Sequence, residues 1–115
     1  MIVEVPIRTK SEPNQRGHWA TRAKRVAGQR GPVLLLCRVH FGSHPPSLPV
    51  VVRLTRVAPC ELDDDNLLGA LKAVRDGIAD YLGTNDRNKG ITWEYAQEKP
   101  PTPRTYAVRI ELINR

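Results

Sequence analysis

The chain has 115 residues, 40% of them apolar and 26% charged, with a net charge of +6. That length supports one hydrophobic core but not two. No apolar run approaches the roughly 20 residues needed to span a bilayer, and MIVEVPIRTK lacks the charge-then-apolar order of a signal peptide, so a soluble, cytoplasmic single domain over 1–115 is expected.

Residues 2–7, IVEVPI, alternate with Val3, Val5 and Ile7 on one side, the pattern of a half-buried strand, and Pro6 places it at a sheet edge. TKSEPNQRG then reads as an exposed loop. From His18 the spacing turns helical, with Trp19, Ala23 and Val26 on one face and Arg22, Arg25 and Gln29 on another. Gly31-Pro32 should end or kink this helix; VLLLCRV beyond it suits either helix or buried strand, and continued helix is the expectation. Seven basic residues (Arg8, Lys10, Arg16, Arg22, Lys24, Arg25, Arg30) face one acid, Glu12, in this window. Such a concentration suits a phosphate-backbone binder, although a solubilising surface explains it equally well.

FGSHPPSLP is a connector, and VVVRLTRV a strand with Val50, Val52 and Leu54 turned to the core. Leu67, Leu71, Val74, Ile78 and Tyr81 then recur at i, i+4, i+7, i+11 and i+14, which predicts a helix that Gly83 terminates. GTNDRNKG is a polar loop. ITWEYAQEK and TYAVRIELI are two further strands, the second alternating through Tyr106, Val108, Ile110 and Leu112. The order implies an α+β domain: a small mixed sheet with two main helices packed on one side.

Cys37 and Cys60 are isolated, so neither a disulfide framework nor a zinc site is indicated, and both should pack as small apolar residues. His18, His40 and His44 are dispersed and receive no catalytic part. Trp19 and Trp93 could stack on bases, but packing positions are the commoner use of such residues.

The acidic run LDDDN, residues 62–66, is the chemical feature of the chain. Three adjacent carboxylates need a counter-charge, solvation or a metal ion. If 61–65 is extended, Glu61, Asp63 and Asp65 project to one side and Asp64 to the other, a donor set for Mg²⁺ of the kind used in phosphodiester cleavage. Alternatively, Asp64 or Asp65 is an ordinary helix N-cap and its neighbours are welcomed by the helix dipole. An EF-hand calcium loop is excluded, because the fifth position from Asp63 is Leu67 and no suitable Gly or Glu follows. Lys72 lies two turns along the helix face of Asp65, from where its flexible stem could swing toward the carboxylates, although an i, i+4 pair with Asp76 satisfies the same spacing.

LDDDNLLGALKAVRDGIADYLGTND resembles the signature of the RusA-type Holliday-junction endonucleases, in which Asp-x-Asp-Asn opens a helix bearing a lysine and a further aspartate follows in the next loop. KSEPNQRGHW is similar to that family's early Pro-x-x-Asn segment leading into a basic helix. The resemblance covers most of the chain and implies a homodimeric, Mg²⁺-dependent enzyme, with Mn²⁺ as a substitute, that nicks symmetric strands of a four-way DNA junction. It implies metal-ligand or water-activating roles for Asp63, Asp65 and Asp86, places Asn66 at the motif asparagine, and gives Lys72 the charge-stabilising role. Here the chain departs from the family pattern, whose lysine falls four residues after the second aspartate, where this chain has Gly69. Lys10, Asn14, Arg16, Arg22, Lys24 and Arg25 are the expected DNA-backbone contacts. The alternatives are a non-catalytic DNA-binding accessory protein with a degenerate RusA-like site and a nuclease for flaps or other branched DNA.

Overall fold

A computed structural model describes residues 2–7, 19–102 and 105–114, with the side chains of 19–29 outside the description. Six elements follow in order: β1 (Ile2–Val5), α1 (Trp19–Phe41), β2 (Val50–Val57), α2 (Asp64–Tyr81), β3 (Ile91–Glu98) and β4 (Ala107–Asn114). The strands form one mixed sheet in the order β1-β4-β2-β3. β4 pairs antiparallel with both β1 and β2, whereas β2 and β3 are parallel. A parallel pair needs a crossover connection, and α2 is that connection.

β2 is central, and seven of its eight residues are buried, Arg53 excepted. Its core-facing residues set the rows of the sheet. Val52 lies between Leu112 and Trp93, Leu54 between Ile110 and Tyr95, and Arg56 between Val108 and Gln97. Val3 and Val5 extend these rows onto the edge strand, as the alternation of IVEVPI predicts. Leu67, Leu71, Val74, Ile78 and Tyr81 of α2 close the core from above, all buried. The other sheet face is charged: Arg53 lies 3.0 Å from Glu94 and 3.6 Å from Glu111, and Arg109 lies 2.7 Å from Glu98. The layers are therefore helix on one face of the sheet and, on the other, ion pairs beside the buried Val51, Thr55 and Val57 of β2.

Pro32 does not end α1. It removes one helical hydrogen bond and is disfavoured inside a helix by about 3 kcal/mol. Val33 and Cys37, one turn apart and both fully buried, hold the segment against the core, with Leu34, Leu36 and Phe41 packed beside them. Burial also pushes the Cys37 thiol up to about 12, so it behaves as an apolar group. No helix among the described residues is long and apolar enough to cross a membrane.

Candidate functional site

The acidic run lies at the amino end of α2. Asp63, rather than Asp64 or Asp65, is the N-cap: its backbone is extended (φ −68°, ψ 169°) and its Oδ1 accepts the Asn66 N–H at 2.9 Å. The helix begins at Asp64, so the run is not an extended segment to Asp65, and Asp64 and Asp65 occupy the first turn. All three aspartates are exposed. Solvation and the positive end of the helix dipole thus relieve the repulsion that the sequence poses. Leu62 before the cap and Leu67 four positions after it both join the core, the placement of a hydrophobic staple.

The segment leading into the cap is held from β2 and β3. The Gln97 side-chain amide donates to the Leu62 carbonyl at 2.7 Å and accepts the Leu62 N–H at 2.9 Å, as a neighbouring strand would. Buried Arg56 donates to the Cys60 carbonyl at 2.6 Å. Cys60 itself is exposed, against the expectation that both cysteines pack as apolar residues. It sits in the bend between β2 and α2, where its carbonyl is the group that is held.

Further along α2, Lys72 connects to the loop that follows the helix. Its Nζ donates to Asp86 Oδ2 at 2.6 Å and to Asp76 Oδ1 at 3.0 Å. The i, i+4 pair and the long-range pair therefore coexist. Arg75 joins them: Nη2 donates to the Asp86 carbonyl at 3.0 Å, Nη1 donates to the Tyr95 hydroxyl at 2.6 Å, and Nε lies 3.0 Å from Asp86 Oδ2. The guanidinium carbon is 4.7 Å from the centre of the Trp93 ring, and Trp93 Nε1 donates to the same Asp86 carbonyl at 3.0 Å. Trp93 is thus partly buried against the core and also bound to the loop.

The charges respond to one another. The hydrogen bond from Lys72 holds the Asp86 carboxyl below its ordinary range, burial works the other way, and the charges of Lys72 and Arg75 reinforce the lowering. For Lys72, burial disfavours the ammonium, but the hydrogen bonds to Asp86 and Asp76 outweigh it and raise its pKa. Lys72 is therefore a cation at neutral pH, although more than half its side chain is exposed.

Asp63 and Asp65 lie at one end of α2, whereas Asp86 is bound to Lys72, about two turns on from Asp65. Among the described residues no three His, Cys, Asp or Glu side chains come together as a metal group. A hard divalent cation needs only one or two carboxylates when water and phosphate oxygens complete its shell. Asp63 and Asp65 are exposed carboxylates of that donor type, but with the helix starting at Asp64 they are not held on one side of an extended segment, and Asp63 Oδ1 is taken by the Asn66 N–H; Asp86 faces cations. Of the expected DNA contacts, Lys10, Asn14 and Arg16 lie outside the described residues, and Arg22, Lys24 and Arg25 lie on α1 with side chains outside the description, as does that of Trp19.

Arg75, Tyr95 and Gln97 were not among the expected site residues. The signal for Tyr95 and Gln97 is the alternation Trp93, Tyr95, Gln97, which sets aromatic and polar groups at i, i+2 and i+4 on the core-facing side of β3, whereas Arg75 stands on α2 with no such pattern to mark it. Each of the three touches a segment that carries an aspartate of the motif.

No family model matches the chain. A curated protein of Xylella fastidiosa (strain Temecula1 / ATCC 700964), described as an uncharacterized protein, is 44% identical over 84 residues, covering 65% of this chain and 52% of that relative. The chain thus spans about half the length of the curated relative it matches.

Proposed function

We propose that the chain is an endodeoxyribonuclease of the RusA type, dependent on Mg²⁺ or Mn²⁺, that resolves four-way DNA junctions by paired nicks. The observation that carries this reading is the 2.6 Å bond from Lys72 to Asp86, which joins the lysine and the last aspartate of the motif across 14 residues of chain. That bond supports the reading in which Lys72 stands in for the lysine that the family pattern would place at Gly69, because its ammonium meets a motif carboxylate.

In this reading Asp63 and Asp65 would hold the cation. Bound, it would neutralise phosphate charge and lower the pKa of a coordinated water. The chain's own part is positional and electrostatic. An ammonium has three N–H donors, of which Lys72 gives one to Asp86 and one to Asp76. The third is available to a phosphate oxygen or to the departing oxygen, where a fixed positive charge stabilises the developing negative one. Lys10, Asn14, Arg16, Arg22, Lys24 and Arg25 would hold the DNA backbone, which fixes position and not sequence. A homodimer matches a junction with two equivalent strands to cut.

A second reading, a non-catalytic DNA-binding accessory protein, is favoured by one observation: a second cation, Arg75, also lies 3.0 Å from Asp86 Oδ2, where the family pattern would place a metal ion. Cleavage of labelled four-way junctions in Mg²⁺ or Mn²⁺ decides between them. The wild type is expected to make paired nicks, Asp65→Asn to make none, and Lys72→Met to be slower by about 100-fold or more. A wild type that binds junctions but nicks them with neither metal sinks the nuclease reading. Cleavage of flaps in preference to junctions would redirect it to another branched substrate.

A further inference from the structure

We infer that Arg75 is the positioning residue of this site, locking Asp86 and through it the Lys72 ammonium into place. The inference rests on the nuclease reading for its catalytic consequence, and on geometry alone for the lock. Asp86 stands in the loop after α2, and without outside contacts neither its carbonyl nor its carboxylate would have a fixed direction. Its carbonyl accepts from two donors, Arg75 Nη2 and Trp93 Nε1, each at 3.0 Å. Its Oδ2 meets two cations, Lys72 Nζ at 2.6 Å and Arg75 Nε at 3.0 Å. Arg75 is the only side chain that touches both groups among the described residues.

A planar guanidinium suits this task, and an ammonium does not. Arg75 donates to the loop backbone and to the Tyr95 hydroxyl in two directions, its Nε lies 3.0 Å from the loop carboxylate as a charge contact without a hydrogen bond, and its guanidinium carbon stands over the Trp93 ring. The platform beneath is rigid, because Trp93 and Tyr95 alternate on β3 opposite Val52 and Leu54 of the central strand. Arg75 is also mostly buried, with 26% of its side chain exposed, so it is not a solvated surface charge that happens to lie near an acid. Without it, Lys72 would keep its neighbour one turn along the helix, Asp76, and lose the fixed partner in the loop. Charge would remain, but its direction would not.

The test combines cleavage with a measurement that needs neither DNA nor metal. Arg75→Gln and Arg75→Lys are compared with wild type for kcat and KM on a four-way junction in Mg²⁺, and for amide hydrogen exchange over residues 84–90 in the metal-free protein. Thermal unfolding establishes that each variant is folded. Arg53→Gln, which removes an arginine from the opposite sheet face, is the control for losing an ion pair. In Arg75→Gln, kcat is expected to fall about 10–100-fold, with KM within about threefold because the residues proposed to hold the DNA backbone lie on other segments. Loop exchange should quicken while that of α2 stays as in wild type, and Arg75→Lys should recover only a small part of either property. Full recovery by lysine overturns the inference, since charge alone would then suffice. Unchanged loop exchange in a folded Arg75→Gln also overturns it. A wild type inert in both metals overturns the nuclease reading and the catalytic consequence drawn from it, while the exchange data still decide the lock.

Discussion

Asp86 is the residue on which the polar contacts converge, and its protonation should be visible in stability. Its carboxyl is held below the ordinary value of 3.8, chiefly by the hydrogen bond from Lys72. A group whose pKa is lower folded than unfolded stabilises the fold once ionised in both states, and that contribution is lost as pH falls through the folded value. Asp86 therefore contributes its full share at neutral pH and progressively less once the pH drops below about 4. Chemical unfolding of wild type and Asp86→Asn across this range should show the variant weaker at pH 7 by on the order of 1 kcal/mol, a modest figure because half-exposed Lys72 is screened by solvent. The two curves should converge in acid. Parallel curves at every pH would mean that the pair contributes through packing rather than charge. Asp80, lowered by its hydrogen bond from Arg30, titrates in both proteins and so cancels from the difference.

Between elements, α2 approaches α1 closely at Gly77. A Cβ added there would stand 2.7 Å from the Arg30 carbonyl and 2.9 Å from Val33 Cβ. One of those atoms is backbone, so the helices themselves would have to separate. One turn on, Arg30 grips Asp80 with two hydrogen bonds of 2.6 and 2.7 Å, and near the end of α1 the Tyr81 hydroxyl donates to the Gly42 carbonyl. Gly77→Ala is expected to cost about 1–3 kcal/mol in urea unfolding, despite alanine's better helix propensity. A stabilised variant would show that the crossing can relax. This glycine is invisible to periodicity, which sees only a small residue on a helix. The elements themselves were largely legible, because α2 and β4 carry clean 3.6- and 2-residue patterns that burial of one face enforces. The start of α2 was displaced, since three adjacent aspartates can each cap a helix and only the bond to Asn66 selects Asp63. Strand order and the polar strip of β3 depend on partners distant in sequence. Gln97 meets Leu62 across 35 residues, and local patterning carries no trace of such a pairing.

For the whole molecule, charge is divided rather than uniform. The window from Arg8 to Arg30 has a net charge equal to that of the entire chain, so the remainder, including the aspartates of α2, is neutral overall. A site that gathers carboxylates repels DNA, and the basic segment must supply the attraction if the chain acts on a junction. Each lysine or arginine that neutralises a phosphate releases counterions and steepens the fall of affinity with salt, by about 0.9 in the log–log slope for duplex DNA. Replacing Arg22, Lys24 and Arg25 together with glutamine should therefore flatten that slope by about 2–3 when binding is measured without Mg²⁺. Four-way junctions and plain duplex should both be weakened, because phosphate contacts position DNA without reading its sequence. Asp65→Asn should act in the opposite direction, tightening binding by removing a negative charge near the substrate. If the triple replacement leaves the slope unchanged, the basic segment is a solubilising surface and does not hold DNA as proposed.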